Sequence, residues 1–123
     1  MNNEKFSIIN RLKSFKYAFQ GLKLFFLLDH NGRIHLFAAF VAIAFSFYLK
    51  LSALEWIAIL SVISAVIVTE ILNSAIEKLA DVVSPDFHPK IKIVKDLAAA
   101  AVLVAAFLAL AVGVIIFIPK LLL

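Results

Sequence analysis

Apolar residues dominate three segments of the chain, and each segment is long enough for a helix that crosses a membrane. The clearest, Leu97 to Ile118, has 22 residues without a charge, and a spanning helix needs about 20. A second has 16 uncharged residues between Arg33 and Lys50, whose side chains can snorkel to extend it. The third carries acidic residues in its last part and stops at Ser84-Pro85. The pattern predicts spans at about residues 33–51, 53–83 and 94–119.

The first thirty residues differ, because their apolar side chains form one narrow stripe of a helix. The stripe repeats at steps of four, three, four, three and four residues, which matches the 3.6-residue period of a helix. Most basic residues of the segment lie off the stripe, as is typical of a helix in the headgroup plane. We therefore predict an amphipathic surface helix at about residues 6–28. The stripe consists of Ile8, Leu12, Phe15, Phe19, Leu22 and Phe26.

The composition agrees with a membrane protein. Of the 123 residues, 64% are hydrophobic and 16% are charged, and the mean hydropathy is +1.06. Soluble domains are about 45–50% apolar and about 25% charged, and a short one buries only about two thirds of its surface. The chain is therefore predicted to be a single all-α membrane domain, residues 1–123, with one surface helix and three spans.

Two absences narrow the possible chemistry. The chain has no cysteine, which excludes disulfides, thiolate metal sites and cysteine nucleophiles. Its three glycines, Gly21, Gly32 and Gly113, are too far apart for either common glycine-rich phosphate loop. A nucleotide must therefore be held in another way.

The basic residues predict how the chain lies in the membrane. Of twelve Lys and Arg residues, six precede the first span and four lie between the second and third apolar segments, so that only Lys50 and Lys120 remain. Cytoplasmic loops are enriched in Lys and Arg. We therefore expect a multi-pass protein of the cell membrane with a cytoplasmic N-terminus and an external C-terminus.

Four polar residues share one face of the second span near its cytoplasmic end. Glu70, Asn73, Glu77 and Asp81 lie at offsets of 0, 3, 7 and 11, within an arc of roughly 80°. One interpretation is hydrogen bonding between helices, above all for Asn73. The other is a bound cation, because two buried carboxylates repel each other. A hard ion such as Mg²⁺ would suit these oxygens.

Two further polar clusters are expected at the same interface. Lys95-Asp96 opens the third span, where helix amides and a lysine together favour phosphate, and Asp29 to His35 lead into the first span. Each cluster has an ordinary structural interpretation by itself: Lys95 as a flanking cation, and His35 as a hydrogen-bonding group. Together, carboxylates and a lysine at the cytosolic interface indicate a site for phosphoryl transfer.

The chain resembles the prokaryotic diacylglycerol kinase and undecaprenol kinase family over nearly its whole length. The resemblance rests on the octet from Glu70 to Glu77, on Asp81, on Lys95-Asp96 and on the alanine-rich stretch that follows. It implies a small homotrimeric membrane kinase that uses MgATP to phosphorylate a lipid alcohol. Active sites would be shared between subunits, and no nucleic acid is expected as a partner.

The resemblance also implies roles for individual residues. Glu70 matches the catalytic base, and Asp29 and Glu77 match the metal carboxylates, with Asp29 where the family usually has Glu. The resemblance further implies that the lipid substrate is bound by Glu70, Asn73 and Ala99. The nucleotide-binding positions that it implies are Arg11, Tyr17, Asp29, Glu77, Asp86, His88, Lys95 and Asp96.

Two alternatives remain open, one for the identity of the lipid substrate and one for the function itself. Asn31, Arg33, Ile34 and His35 resemble the undecaprenol kinase branch, which favours undecaprenol over diacylglycerol. The rival function is a small oligomeric proton-coupled transporter with Glu70 as the proton carrier. Such a carrier is expected near the middle of the bilayer, whereas Glu70 is expected near the cytosolic surface.

Overall fold

The computed structural model describes residues 7–123, which form four helices in chain order. Residue 6, where the surface helix was expected to begin, and Lys5, which entered the charge argument, lie outside the described residues. The helices are α1 (Ile8–Leu28), α2 (His30–Tyr48), α3 (Ala53–Val83) and α4 (Pro89–Leu121). The last three are long and apolar enough to cross a membrane. The predicted all-α fold with three spans is confirmed.

The break between α1 and α2 is made by a single residue, Asp29. Its backbone is extended, with φ −98° and ψ 112°, and its Oδ1 accepts a hydrogen bond of 2.9 Å from the amide of Gly32, which caps α2. Arg33 Nη1 donates to the carbonyl of Leu27 at 2.7 Å, one of the carbonyls that the end of α1 leaves unsatisfied. Phe25 is the buried residue of α1. These contacts attach α1 to the bundle by its C-terminal end.

The turn between α2 and α3 begins earlier than predicted. Helix α2 ends at Tyr48, whereas the predicted span reached residue 51. Lys50 adopts a positive φ of 53°, a left-handed conformation that a right-handed helix cannot contain. Ser52 and Glu55 then form a capping box that starts α3. The apolar sequence on which the prediction was based therefore extends beyond the end of α2.

Helices α3 and α4 form an antiparallel pair with an ion pair near each end. Lys120 Nζ lies 3.2 Å from Glu55 Oε1, and Lys95 Nζ lies 2.6 Å from Asp81 Oδ1. Helix α3 has the predicted bounds, whereas α4 begins at Pro89, five residues before the predicted span. Proline is favoured in the first turn of a helix, so the loop is shorter than its composition suggested.

Few apolar side chains are buried within one chain. Those buried within the three spans include Ile59, Val62, Val66, Ala39 and Ala105. Many larger apolar side chains face outward, including Phe37, Leu103, Val104, Phe107 and Ile115. Lipid or other copies of the chain must cover an apolar surface of this extent.

Candidate functional site

The most deeply buried charged group of the described chain is the carboxylate of Glu70. Its side chain is 4% exposed, and Oε2 lies 3.6 Å from Nε2 of His35 on α2, whose side chain is 28% exposed. Glu70 is about 25 Å along α3 from Ala53, at 1.5 Å per residue. It therefore lies towards the end of the bundle that carries the α1–α2 junction and the α3–α4 loop, which we call the loop end.

Two further carboxylates act on Glu70 from the loop end. Asp29 and Glu77 are close enough for their charges to repel that of Glu70, whereas a charge on His35 would attract it. The expectation that Glu70 and Glu77 are buried together is wrong, because Glu77 is exposed in the protomer. The two acids therefore lie in different environments, one shielded from water and one facing it.

Asn73 provides an unpaired acceptor one turn from Glu70. Its Oδ1 is buried and has no hydrogen-bond partner within residues 7–123. Buried polar atoms are almost always satisfied, so an unpaired one points to a missing donor. A hydroxyl group, or a donor from another copy, would satisfy it. The interpretation of Asn73 as a hydrogen bond between helices finds no partner among the described residues.

Asp29 and Glu77 have the donor chemistry that Mg²⁺ requires. Both offer hard carboxylate oxygens, and Oδ1 of Asp29 accepts a hydrogen bond from the amide of Gly32. The described residues contain no group of three or more His, Cys, Asp or Glu side chains that could hold a metal ion. Mg²⁺ typically takes one or two carboxylates and completes its shell with water and substrate phosphates.

A depression of about 190 Å³ lies between the end of α3 and the start of α4. Lys95 extends across it to Asp81 at 2.6 Å, and both side chains are partly or largely exposed. The sequence placed Lys95 and the end of the acidic face of α3 at one interface, and the contact confirms that proximity. Asp86 and His88, from the loop, line the same depression.

Asp96 and His88 already have local partners. Asp96 Oδ2 pairs with Lys92 Nζ at 2.6 Å, one turn away on α4, and does not line the depression. His88 caps α4, since its Nδ1 accepts from the amide of Lys90 at 3.1 Å. One exposed surface therefore brings together Asp81, Asp86, His88 and Lys95, with Asp96 beside it.

Three other predicted site residues also lie on exposed surfaces outside this depression. Arg11 and Tyr17 are on exposed turns of α1, and Ala99 is exposed on α4. One protomer therefore assembles part of the predicted site.

A narrow apolar groove of about 330 Å³ runs from His35 between α2, α3 and α4. Small residues form much of its wall, including Ala38, Ala42, Ala106 and Gly113, and His35 is the ionisable residue that lines it. The groove therefore joins the Glu70–His35 contact to the apolar layer.

Sequence reasoning placed His35 at the same interface but gave it no role in the site. The available signal was an ionisable side chain inside an apolar run, which is costly without a function or a partner. That signal does not identify the partner, because Glu70 is 35 positions away in the chain. Only the packing of α2 on α3 shows the contact.

Comparison with known proteins identifies the family of this chain. The family described as prokaryotic diacylglycerol kinase matches residues 16–117. An undecaprenol kinase of Bacillus subtilis (strain 168) is 37% identical over 114 residues, which cover 92% of this chain and 93% of the relative.

Two diacylglycerol kinases are also similar. That of Synechocystis is 40% identical over 115 residues, covering 92% of this chain and 65% of the relative. That of Escherichia coli (strain K12) is 28% identical over 109 residues, or 89% of each chain. With three membrane-length helices and a family match over most of its length, this chain belongs to the prokaryotic diacylglycerol kinase family of membrane lipid kinases.

Proposed function

We propose that this chain transfers the γ-phosphoryl group of ATP to the hydroxyl of a membrane lipid, undecaprenol or diacylglycerol, at the cytoplasmic interface. The observation that carries the proposal is the buried Glu70 carboxylate, which lies between an apolar groove and a polar surface at the loop end. A lipid alcohol has the same two-sided character. Its chain belongs in the apolar layer and its hydroxyl at the boundary.

Glu70 acts as the general base in this proposal. The attacking lipid oxygen loses its proton as the new P–O bond forms, and a positioned carboxylate accepts that proton. The unpaired Oδ1 of Asn73, one turn away, is placed to accept a hydrogen bond from a polar group of the lipid. Ala99 is also assigned to lipid binding, and this assignment rests on the family resemblance alone.

Asp29 and Glu77 would hold Mg²⁺ together with the phosphates. Bound there, the ion neutralises negative charge on the phosphate oxygens. Glu77 is seven residues from Glu70 on α3, about 10 Å towards the loop end. The carboxylate that holds the metal is thus exposed to water, and the base is shielded from it.

The remainder of the nucleotide is assigned to the loop end. Lys95 supplies a positive charge for phosphate oxygens, and its exposed ion pair with Asp81 contributes little stability that binding would have to overcome. Asp86, His88 and Asp96 surround the same opening. Arg11 and Tyr17 complete the nucleotide set by resemblance.

We also propose a homotrimer in the cell membrane, with the loop end in the cytoplasm. The outward-facing apolar side chains and the predicted site residues outside the depression support an assembly of several copies. Undecaprenol is the preferred lipid because Asn31, Arg33, Ile34 and His35 resemble the undecaprenol kinase branch.

The test is phosphate transfer from γ-labelled ATP by protein in vesicles that contain undecaprenol or diacylglycerol. Glu70→Gln keeps the size of the side chain but cannot accept a proton. It should lower kcat by about 10²–10⁴-fold, as expected for a positioned base, with little change in KM for ATP. Glu55→Gln, near the opposite end of α3, is the matched control.

Two other outcomes would contradict the proposal. A Glu70→Gln variant with normal kcat and weak ATP binding would make Glu70 a nucleotide or metal ligand. A label that enters neither lipid would exclude both proposed substrates.

A further inference from the structure

Glu70 is poorly placed to return a proton to water by itself. Its side chain is 4% exposed, and within the described part of the chain its carboxylate makes no hydrogen bond. If Glu70 is the base of the proposed function, it gains one proton in every turnover. The carboxylate must lose that proton before the next lipid can react.

His35 is the basic group that lies beside this carboxylate. Its Nε2 is 3.6 Å from Oε2 of Glu70, and its ring is 28% exposed against 4% for Glu70. In water an imidazole holds a proton more tightly than a carboxylate does, so a neutral His is a suitable acceptor for the proton of a carboxylic acid. The ring therefore connects the shielded acid to a more accessible position.

We propose that His35 carries the proton of each turnover from Glu70 to water; this rests on Glu70 being the base of the proposed function. The lipid O–H bond breaks and its proton goes to Glu70, while the lipid oxygen bonds to the γ-phosphorus and ADP leaves. The carboxylic acid then gives the proton to the lone pair of Nε2. His35 releases it to water, which restores the carboxylate and the neutral ring.

The nearby carboxylates favour the first step, in which Glu70 takes the proton of the lipid. Asp29 and Glu77 both repel a negative charge on Glu70. No covalent bond to His35 forms, and ATP is the only co-reactant. His35 touches neither lipid nor ATP in this scheme, so it is a positioning and proton-carrying residue that acts through Glu70.

Two substitutions separate proton transfer from simple hydrogen bonding. His35→Gln places an amide near the position of Nε2 and can orient the carboxylate, but it cannot carry a proton. His35→Ala removes both functions and leaves a space. We expect both to lower kcat at least about tenfold, the lower range for loss of a proton-transfer group, with KM for ATP little changed. His30→Gln, at the exposed start of the same helix, is the matched control.

Added imidazole gives a readout that a structural role would not change. It should raise the rate of His35→Ala several-fold, because a free ring can occupy the space and carry the proton. It should not raise the rate of His35→Gln or Glu70→Gln. In the wild type, kcat should fall as the pH decreases, and this fall should be absent in His35→Gln.

The outcomes decide between the two proposals. Normal kcat in His35→Gln with loss in His35→Ala would reduce His35 to a hydrogen-bond donor and refute proton transfer. Normal kcat in His35→Ala would remove His35 from the reaction. If both variants fail to fold by circular dichroism, a wild-type kcat that does not change over the titration range of imidazole refutes the proposal. Normal kcat in Glu70→Gln would instead overturn the proposed function, whatever His35 does.

Discussion

Asp29 caps α2 and is also proposed to bind Mg²⁺. Its Oδ1 caps α2 by accepting from the amide of Gly32, and its other oxygen is proposed for Mg²⁺. The shorter side chain suits the cap, because Asp is among the best N-cap residues, whereas Glu is not among the preferred ones. This gives a local reason for Asp where the resembled family usually has Glu.

The two tasks of Asp29 can be separated by substitution. Asn caps a helix about as well as Asp, so Asp29→Asn should keep the thermal stability of the wild type. It should lose most of its kinase activity and need more Mg²⁺, because the charge is gone. Asp29→Ala should lose activity and also about 1 kcal/mol of stability, as typical for a removed cap. Activity against Mg²⁺ concentration and thermal unfolding in detergent measure the two effects.

Two results would contradict the proposed role of Asp29 in binding Mg²⁺. Full activity of Asp29→Asn at low Mg²⁺ would remove Asp29 from the metal site. Full activity of the wild type in excess chelator would remove the metal itself.

At the scale of elements, the junction of α1 with α2 depends on a close approach of two residues. A Cβ atom added to Gly32 would lie 2.6 Å from Cζ of Phe25, whose side chain is 7% exposed. A side chain at position 32 therefore requires the ring to shift. Helix periodicity predicted α1 but gave no sign of this contact, because Phe25 is not on the predicted stripe.

The two helical glycines of this region provide a matched pair. Gly32→Ala should displace Phe25 and destabilise the protein by about 1–3 kcal/mol, as overpacking usually does. Gly21→Ala has nothing within 4 Å of the added Cβ and should be neutral or stabilising by up to about 1 kcal/mol, the helix preference of Ala over Gly. Thermal unfolding of both variants in one detergent makes the comparison. Equal melting temperatures would show that the Phe25–Gly32 contact does not hold the junction.

At the scale of the whole molecule, one end of the bundle carries the candidate chemistry and the other does not. The loop end holds Glu70, Glu77, Asp81 and Lys95, while Glu55 and Lys120 pair at the opposite end. The distribution of Lys and Arg predicts that the loop end is cytoplasmic, where ATP is available.

The absence of cysteine makes this orientation easy to test. Ser84→Cys labels the α3–α4 loop, and Leu123→Cys labels the C-terminus. In intact cells a membrane-impermeant maleimide should react with Leu123→Cys, and with Ser84→Cys only after lysis. The reverse pattern would invert the topology and place the proposed ATP site outside the cell.

The sequence by itself determined the class, the helices and most of the candidate chemistry. Long uncharged runs can satisfy their backbone groups in lipid only as helices, so length and hydropathy were enough to predict three spans. The resemblance of the segment from Glu70 to Glu77 and of Lys95-Asp96 then indicated the family. These features are local in the chain, and a local pattern reports them directly.

Only the tertiary structure decided which of these side chains are shielded and which meet. It buries Glu70, which lies against His35 of α2, and exposes Glu77, although both lie on one face of α3. It pairs Glu70 with His35 and Lys95 with Asp81, leaves Asn73 Oδ1 without a partner, and presses Phe25 onto Gly32. Burial and pairing depend on which helices are neighbours and at what register, and residues far apart in the chain carry no local signal of that.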